Sequence, residues 1–129
     1  DVSVPVAALP AFDAEAQAAV LALVPNGRMV GYGHVGDGNL HFNVSVPMGG
    51  DAGEFLARAP AIHQAVYGIV RRYRGSISAE HGIGRLKREA LAEHKGAVDL
   101  EVMRVLKHAL DPKGILNPGK VLPDPEPGP

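Results

Sequence analysis

The chain has 129 residues, 46% of them hydrophobic and 21% charged, with a net charge of −1 and no cysteine. That is the size and composition of one ordinary globular domain, and the near-neutral balance argues against a nucleic-acid footprint or electrostatic membrane binding. Without cysteine there can be no disulfide, iron–sulfur ligation or thiol nucleophile, so any metal site must use histidine and carboxylate, and the redox compartment stays open.

The opening Asp1-Val2-Ser3-Val4-Pro5 is already strand-like and has no initiator Met, so the chain is expected to be a piece of a longer protein. Val2–Val4 reads as a short strand closed by Pro5. Pro10 suits a first helical turn, and Ala11–Val24 follows with Phe12, Ala16, Ala19, Val20 and Leu23 at helical spacing. Pro25-Asn26-Gly27 then turns the chain into a hairpin within which Gly31–Asn43 is the centrepiece. Its strands are Arg28–Gly33 and Leu40–Val46, joined by a Gly-Asp-Gly-Asn turn. In the second strand Leu40, Phe42, Val44 and Val46 alternate with His41, Asn43 and Ser45, so one face is apolar and the other carries His41 and Asn43.

After Pro47-Met48-Gly49-Gly50, Asp51 can cap a short helical turn reaching about Arg58. A main helix begins near Pro60, with Ile62, Val66, Ile69, Val70 and Tyr73 as its apolar stripe and Arg71, Arg72 and Arg74 near the end where cations favour the dipole. Gly75 is the expected stop, and Ser76–Ser78 a short strand. Ala79–Arg85 leads into a helix to about His94, and Val98–Leu110 forms the last helix, ended by Asp111-Pro112-Lys113-Gly114. The order strand, helix, strand, strand, helix, strand predicts an α+β fold, a ferredoxin-like βαββαβ sandwich with extra C-terminal helices. The expected domain covers residues 1–122, followed by a proline-rich tail over 123–129. No apolar run approaches the ~20 residues of a membrane span, and with no signal-peptide pattern a cytoplasmic location, or one peripheral to the inner membrane, is expected.

A hairpin brings its two ends together, so His34 and His41, seven positions apart, can converge on one point. Catalytic zinc-type sites take about three protein ligands and keep a position open. Glu80, directly after the strand Ser76–Ser78, is the leading third ligand, with Asp37 in the loop as the alternative. His81 lies among glycines at an expected helix start, where the dipole and a neighbouring cation would favour the neutral imidazole suited to general-base work. The alternative is that Glu80 and His81 merely cap that helix. His63, His94 and His108 read as surface histidines, and Gly82-Ile83-Gly84 lacks the βαβ context of a dinucleotide fingerprint.

Three stretches, Gly33–Val44 (GHVGDGNLHFNV), Ser78–Leu91 (SAEHGIGRLKREAL) and Met103–Pro123 (MRVLKHALDPKGILNPGKVLP), together resemble the C-terminal domain of FAD-linked oxidases of the D-2-hydroxyacid dehydrogenase group. That group includes D-lactate dehydrogenases, the glycolate oxidase flavin subunit and D-2-hydroxyglutarate dehydrogenase. The resemblance implies a divalent metal, usually zinc in that family, on His34, His41 and Glu80, with His81 as catalytic base and Asn43 helping to hold substrate. It implies that Asn117 lies near the flavin. The implied reaction oxidises a D-2-hydroxy acid to the 2-oxo acid, His81 taking the hydroxyl proton while hydride passes to FAD. The implied partners are the small hydroxy acid and an FAD-binding domain of the same polypeptide, and the electron acceptor is left unknown. Nothing in this chain corresponds to the FAD-binding domain, nor to the substrate-anchoring basic residues expected upstream, so the chain alone is expected to fold without turning over substrate. Two other readings stand beside this one. A non-catalytic ferredoxin-like module would use its exposed sheet to bind a small ligand or to pair with another copy as a homodimer. A metal-dependent hydrolase would use the same ligands with further acidic ones, which the chain does not supply.

Overall fold

Strands β1 (Val2–Ser3), β2 (Arg28–Tyr32) and β3 (Asn39–Ser45) form an antiparallel sheet in the order β1-β3-β2 in the computed structural model, which describes residues 1–123. The expected tail thus lies, beyond Pro123, outside the described residues. Two compact units make up the chain, Asp1–Glu80 and a second that begins at His81. Together the sheet and its helices are α+β, as expected.

In the first unit the hairpin register pairs Tyr32 with His41 and Arg28 with Ser45, and β1 adds Val2 opposite Leu40 and Ser3 opposite Asn39. The alternation expected of β3 holds from Phe42 on, with Phe42 and Val44 half-buried and Asn43 and Ser45 exposed, whereas Asn39 is buried beside Leu40 and His41 is half-buried. The connection differs from a tight turn. It contains a 3₁₀ turn over Val35–Asp37 and ends on Gly38 at φ +82°. A side chain at Gly38 would place its first carbon 2.1 Å from the Val4 carbonyl oxygen, so only glycine lets the loop close on β1. The expected strand Ser76–Ser78 is reduced to one antiparallel bridge, Ser3 with Ser76, closed by hydrogen bonds of 2.9 and 2.8 Å. Three residues of which two are serine carry too little β-propensity to extend it.

Helices α1 (Leu9–Leu23), α2 (Ala52–Ala57) and α3 (Ala59–Arg72) complete the unit. Pro10 and Pro60 both sit in first turns, where a missing N–H costs little. Asp51 caps α2 by accepting from the Glu54 amide at 2.8 Å. The core is made by α1 and α3: Phe12, Ala16 and Val20 are fully buried, as is Val70, and Ile62, Val66 and Ile69 lie beside it on α3. Burying a side chain such as Phe12 contributes about 1.5–3 kcal/mol. Tyr73 meets Phe12 edge to face at 6.2 Å, and Arg72 pairs with Glu15 across the two helices. By length and composition Val6–Leu23 could cross a membrane, which amends the expectation of no such run, yet its Phe12, Ala16 and Val20 form the protein core.

Gly75 does not stop α3 in the expected way. Arg74 takes the left-handed conformation at φ 55°, while the Gly75 amide reaches back to the Val70 carbonyl at 2.9 Å. Gly75 is small for another reason: a first side-chain carbon there would stand 2.1 Å from the Ser3 carbonyl oxygen.

In the second unit α4 (Arg88–His94) and α5 (Ala97–Leu110) bury Leu91 and Leu100. The C-terminal segment folds back, with the Val121 amide donating to the Gly84 carbonyl at 2.8 Å. Asp111, 6% exposed, closes α5: its carboxylate takes the Lys107 ammonium and the amides of Ile115 (3.0 Å) and Leu116 (2.9 Å). The bond from Lys107, with those two amides, holds the Asp111 carboxyl below the usual carboxylate range. A lowered native pKa means stability that is complete above the unfolded value of about 4 and lost as pH falls through the native one. Asp111→Asn is therefore expected to lower the melting temperature at neutral pH, and the gap from wild type should narrow below about pH 4. A gap independent of pH in thermal melts would show that the charge is not what matters.

Candidate metal centre

Three of the predicted site residues, His34, His41 and Glu80, meet at the polar face of the sheet. His41 lies on β3 between Asn39 and Asn43, all three on one face by the strand's period of two. Its ring rests against Tyr32, its cross-strand partner, at 5.0 Å between centroids. His41 Nε2 lies 2.6 Å from Glu80 Oε1, and His34 Nδ1 lies 3.6 Å from Glu80 Oε2, so the two imidazoles reach one carboxylate through its two oxygens. His41 is largely covered, whereas the His34 side chain is 69% exposed. Asp1, His41 and Glu80 each bring one donor atom within 4.8 Å of the others.

Asp1 and Asn39 were not among the sequence candidates. Asp1 Oδ1 accepts from the Glu80 amide at 3.2 Å, and Oδ2 accepts from the Ala79 amide at 3.1 Å and from Ser78 Oγ at 2.9 Å. Asn39 is 5% exposed, and its Nδ2 lies 3.3 Å from His34 Nδ1. The Asn39 amide bond, then the His41 bond and the charges of both histidines, outweigh desolvation and hold Glu80 below the usual carboxylate range. Asn39 Oδ1 is buried without a hydrogen-bond partner. Both residues follow a signal that was present: Asp1 and Ser3 alternate with buried Val2 and Val4, as Asn39 and His41 alternate around Leu40.

Asp37, the alternative ligand, closes the loop, its Oδ1 accepting from the Asn39 amide at 3.1 Å, and it lies outside the close group of Asp1, His41 and Glu80. Asn43 shares the face of His41, is exposed, and its Nδ2 approaches the Tyr32 hydroxyl at 3.5 Å. His81, the next residue after Glu80, is exposed and opens the second unit. It does not start a helix as expected: Gly82 and Gly84 take left-handed φ values of 77° and 54°, and α4 begins only at Arg88. The same fact removes the reading of Glu80 and His81 as helix caps. Asn117, left-handed at φ 47°, lines a cavity of about 410 Å³ in the second unit together with Arg104, Lys107, Lys113 and Lys120.

The donor set fits a divalent cation of the zinc kind, which favours imidazole nitrogen and carboxylate oxygen. The carboxylates of Asp1 and Glu80, with donor atoms within 4.8 Å of each other, repel, and a cation would relieve that repulsion.

Residues 1–121 match the family model of FAD linked oxidases, C-terminal domain. The chain is 42% identical to D-2-hydroxyglutarate dehydrogenase of Stutzerimonas stutzeri and 44% identical to that of Xanthomonas citri pv. viticola, each over 121 residues, or 94% of this chain. It is 48% identical over 97 residues, 75% of its length, to the mitochondrial D-2-hydroxyglutarate dehydrogenase of Danio rerio. It spans about a quarter of the bacterial relatives (26%) and 17% of the fish protein.

Proposed function

The chain belongs to the family of FAD-linked oxidase C-terminal domains, and from that membership we propose that it is the substrate- and metal-binding part of a flavin-dependent dehydrogenase. Its substrate in this reading is a D-2-hydroxy acid of the 2-hydroxyglutarate type, oxidised to the 2-oxo acid. The name shared by its relatives supports that choice over lactate or glycolate. The observation that carries the reading is the convergence of His34 and His41 on the two oxygens of Glu80.

His34, His41 and Glu80 would hold the cation, zinc by the chemistry of its donors. When bound, the cation supplies Lewis acidity toward the substrate hydroxyl, and FAD, carried mainly by a domain outside this chain, supplies the two-electron acceptor. Glu80, kept ionised by Asn39, contributes the negative charge of the ligand set. Asn43, on the face of His41, can donate its amide to the substrate carboxylate. His81, joined to Glu80 by a peptide bond, is assigned the hydroxyl proton as hydride leaves the α-carbon, and Asn117 a place near the flavin. The finer fold reading is ferredoxin-like, with Ser76–Ser78 as the remnant of a fourth strand. The Ser3–Ser76 bridge on the free edge of β1 supports it.

The test is a polypeptide carrying both this chain and an FAD-binding domain, mixed anaerobically with D-2-hydroxyglutarate, D-lactate and glycolate. Bleaching of the oxidised flavin band is expected fastest with D-2-hydroxyglutarate. Failure of every acid to bleach it would remove the dehydrogenase reading.

A further inference from the structure

We propose that Asp1 is a positioning residue for the metal centre, fixing the backbone that carries Glu80 and setting that glutamate against His41. The inference rests on the metal-site reading above and adds to it a residue that makes the site possible. The Glu80 segment joins the sheet through a single bridge, Ser3 with Ser76, four residues short of the glutamate. Beyond that bridge the Asp1 carboxylate takes over, accepting from Ser78 Oγ, the Ala79 amide and the Glu80 amide. A carboxylate offers about four acceptor positions, and three are spent on residues 78–80. That leaves Asp1 poorly supplied to serve as a full ligand and well supplied to hold one.

The register explains why this residue has the task. Continuing the β1–β3 pairing by one step sets Asp1 opposite His41, and continuing the Ser3–Ser76 pairing sets it opposite Ser78. Asp1 therefore stands between the strand that bears His41 and the segment that bears Glu80. Its negative charge, within 4.8 Å of donor atoms of both, also raises the attraction of the site for a cation.

The experiment is cobalt(II) titration, followed by visible absorption, of wild type, Asp1→Asn and Ser78→Ala, with amide hydrogen exchange read at Ala79 and Glu80. Asp1→Asn keeps the shape but loses acceptor positions. Its cobalt affinity is expected to fall roughly 10–100-fold, the usual cost of an outer-shell partner, with the cobalt band unchanged in shape and faster exchange at both amides. Ser78→Ala, which removes one of the three donors and cannot be a ligand, is expected to weaken binding in the same direction by a smaller factor. Unchanged affinity and exchange in Asp1→Asn would overturn the proposal. So would a changed band shape in Asp1→Asn with Ser78→Ala like wild type, since that pattern makes Asp1 a ligand. If wild type takes up no cobalt, the metal-site reading fails instead, and the exchange rates alone decide whether Asp1 holds the Glu80 segment.

Discussion

Glu80→Ala is expected to abolish tight zinc or cobalt binding, with a loss larger than the roughly 10–100-fold that an outer-shell partner costs. Glu80 is the residue both histidines touch, so its removal takes away an oxygen ligand, the charge that balances the cation and the group that draws His34 and His41 together. His34→Ala and His41→Ala should each lose affinity as well. A cation that binds only the folded chain raises its stability by about 2.7 kcal/mol at a hundredfold excess over Kd. Wild type should therefore melt higher with added zinc, and Glu80→Ala should not respond. Because Glu80 is exposed, the variant should still fold, and its circular dichroism should match wild type. Equal metal content in wild type, His34→Ala and Glu80→Ala would refute the three-ligand site.

His81→Ala, in a polypeptide that also carries the FAD-binding domain, is expected to slow flavin reduction by roughly 10²–10⁴-fold, the usual contribution of a positioned base. Its metal content should stay at the wild-type level. The variant should also lose the limb of the pH dependence of kcat/KM that the base sets, and added imidazole should restore part of the rate. The preceding residue, Glu80, is a proposed ligand, so the discriminating readout is metal content. Should it fall together with the rate, His81 is a ligand or a support for one, and the base must be sought elsewhere.

The parts of this molecule that were legible in the sequence are those written in local pattern. The alternation around His41 specified β3 and its two faces, and the spacing of Ile62, Val66, Ile69 and Val70 specified the buried stripe of α3. Asp51 and the first-turn prolines marked helix starts correctly. What local pattern does not encode is which strands become neighbours. The roles of Asp1 and Asn39 depend on pairings across 36 and 73 positions, Ser3 with Asn39 and Ser3 with Ser76. The helix expected from His81 failed for a backbone reason. Gly82 and Gly84 have left-handed φ values, and a helix does not start before Arg88. Ser76–Ser78 was placed correctly and overextended, since the bridge at Ser76 is all that two serines and an isoleucine form.

Gly75 has a bearing on how mutational scans of this chain are to be interpreted. It is none of the proposed ligand, base or substrate residues and lies five positions before Glu80, yet any side chain there meets the Ser3 carbonyl at 2.1 Å and must push β1 away from the segment that follows. The displaced pair is the one that joins the carboxylates of Asp1 and Glu80 to the same sheet. A library scored only by turnover would rank Gly75 with the catalytic positions. The same library scored by metal uptake and by abundance would separate it from them, as a site of steric intolerance whose effect reaches the chemistry through a displaced strand.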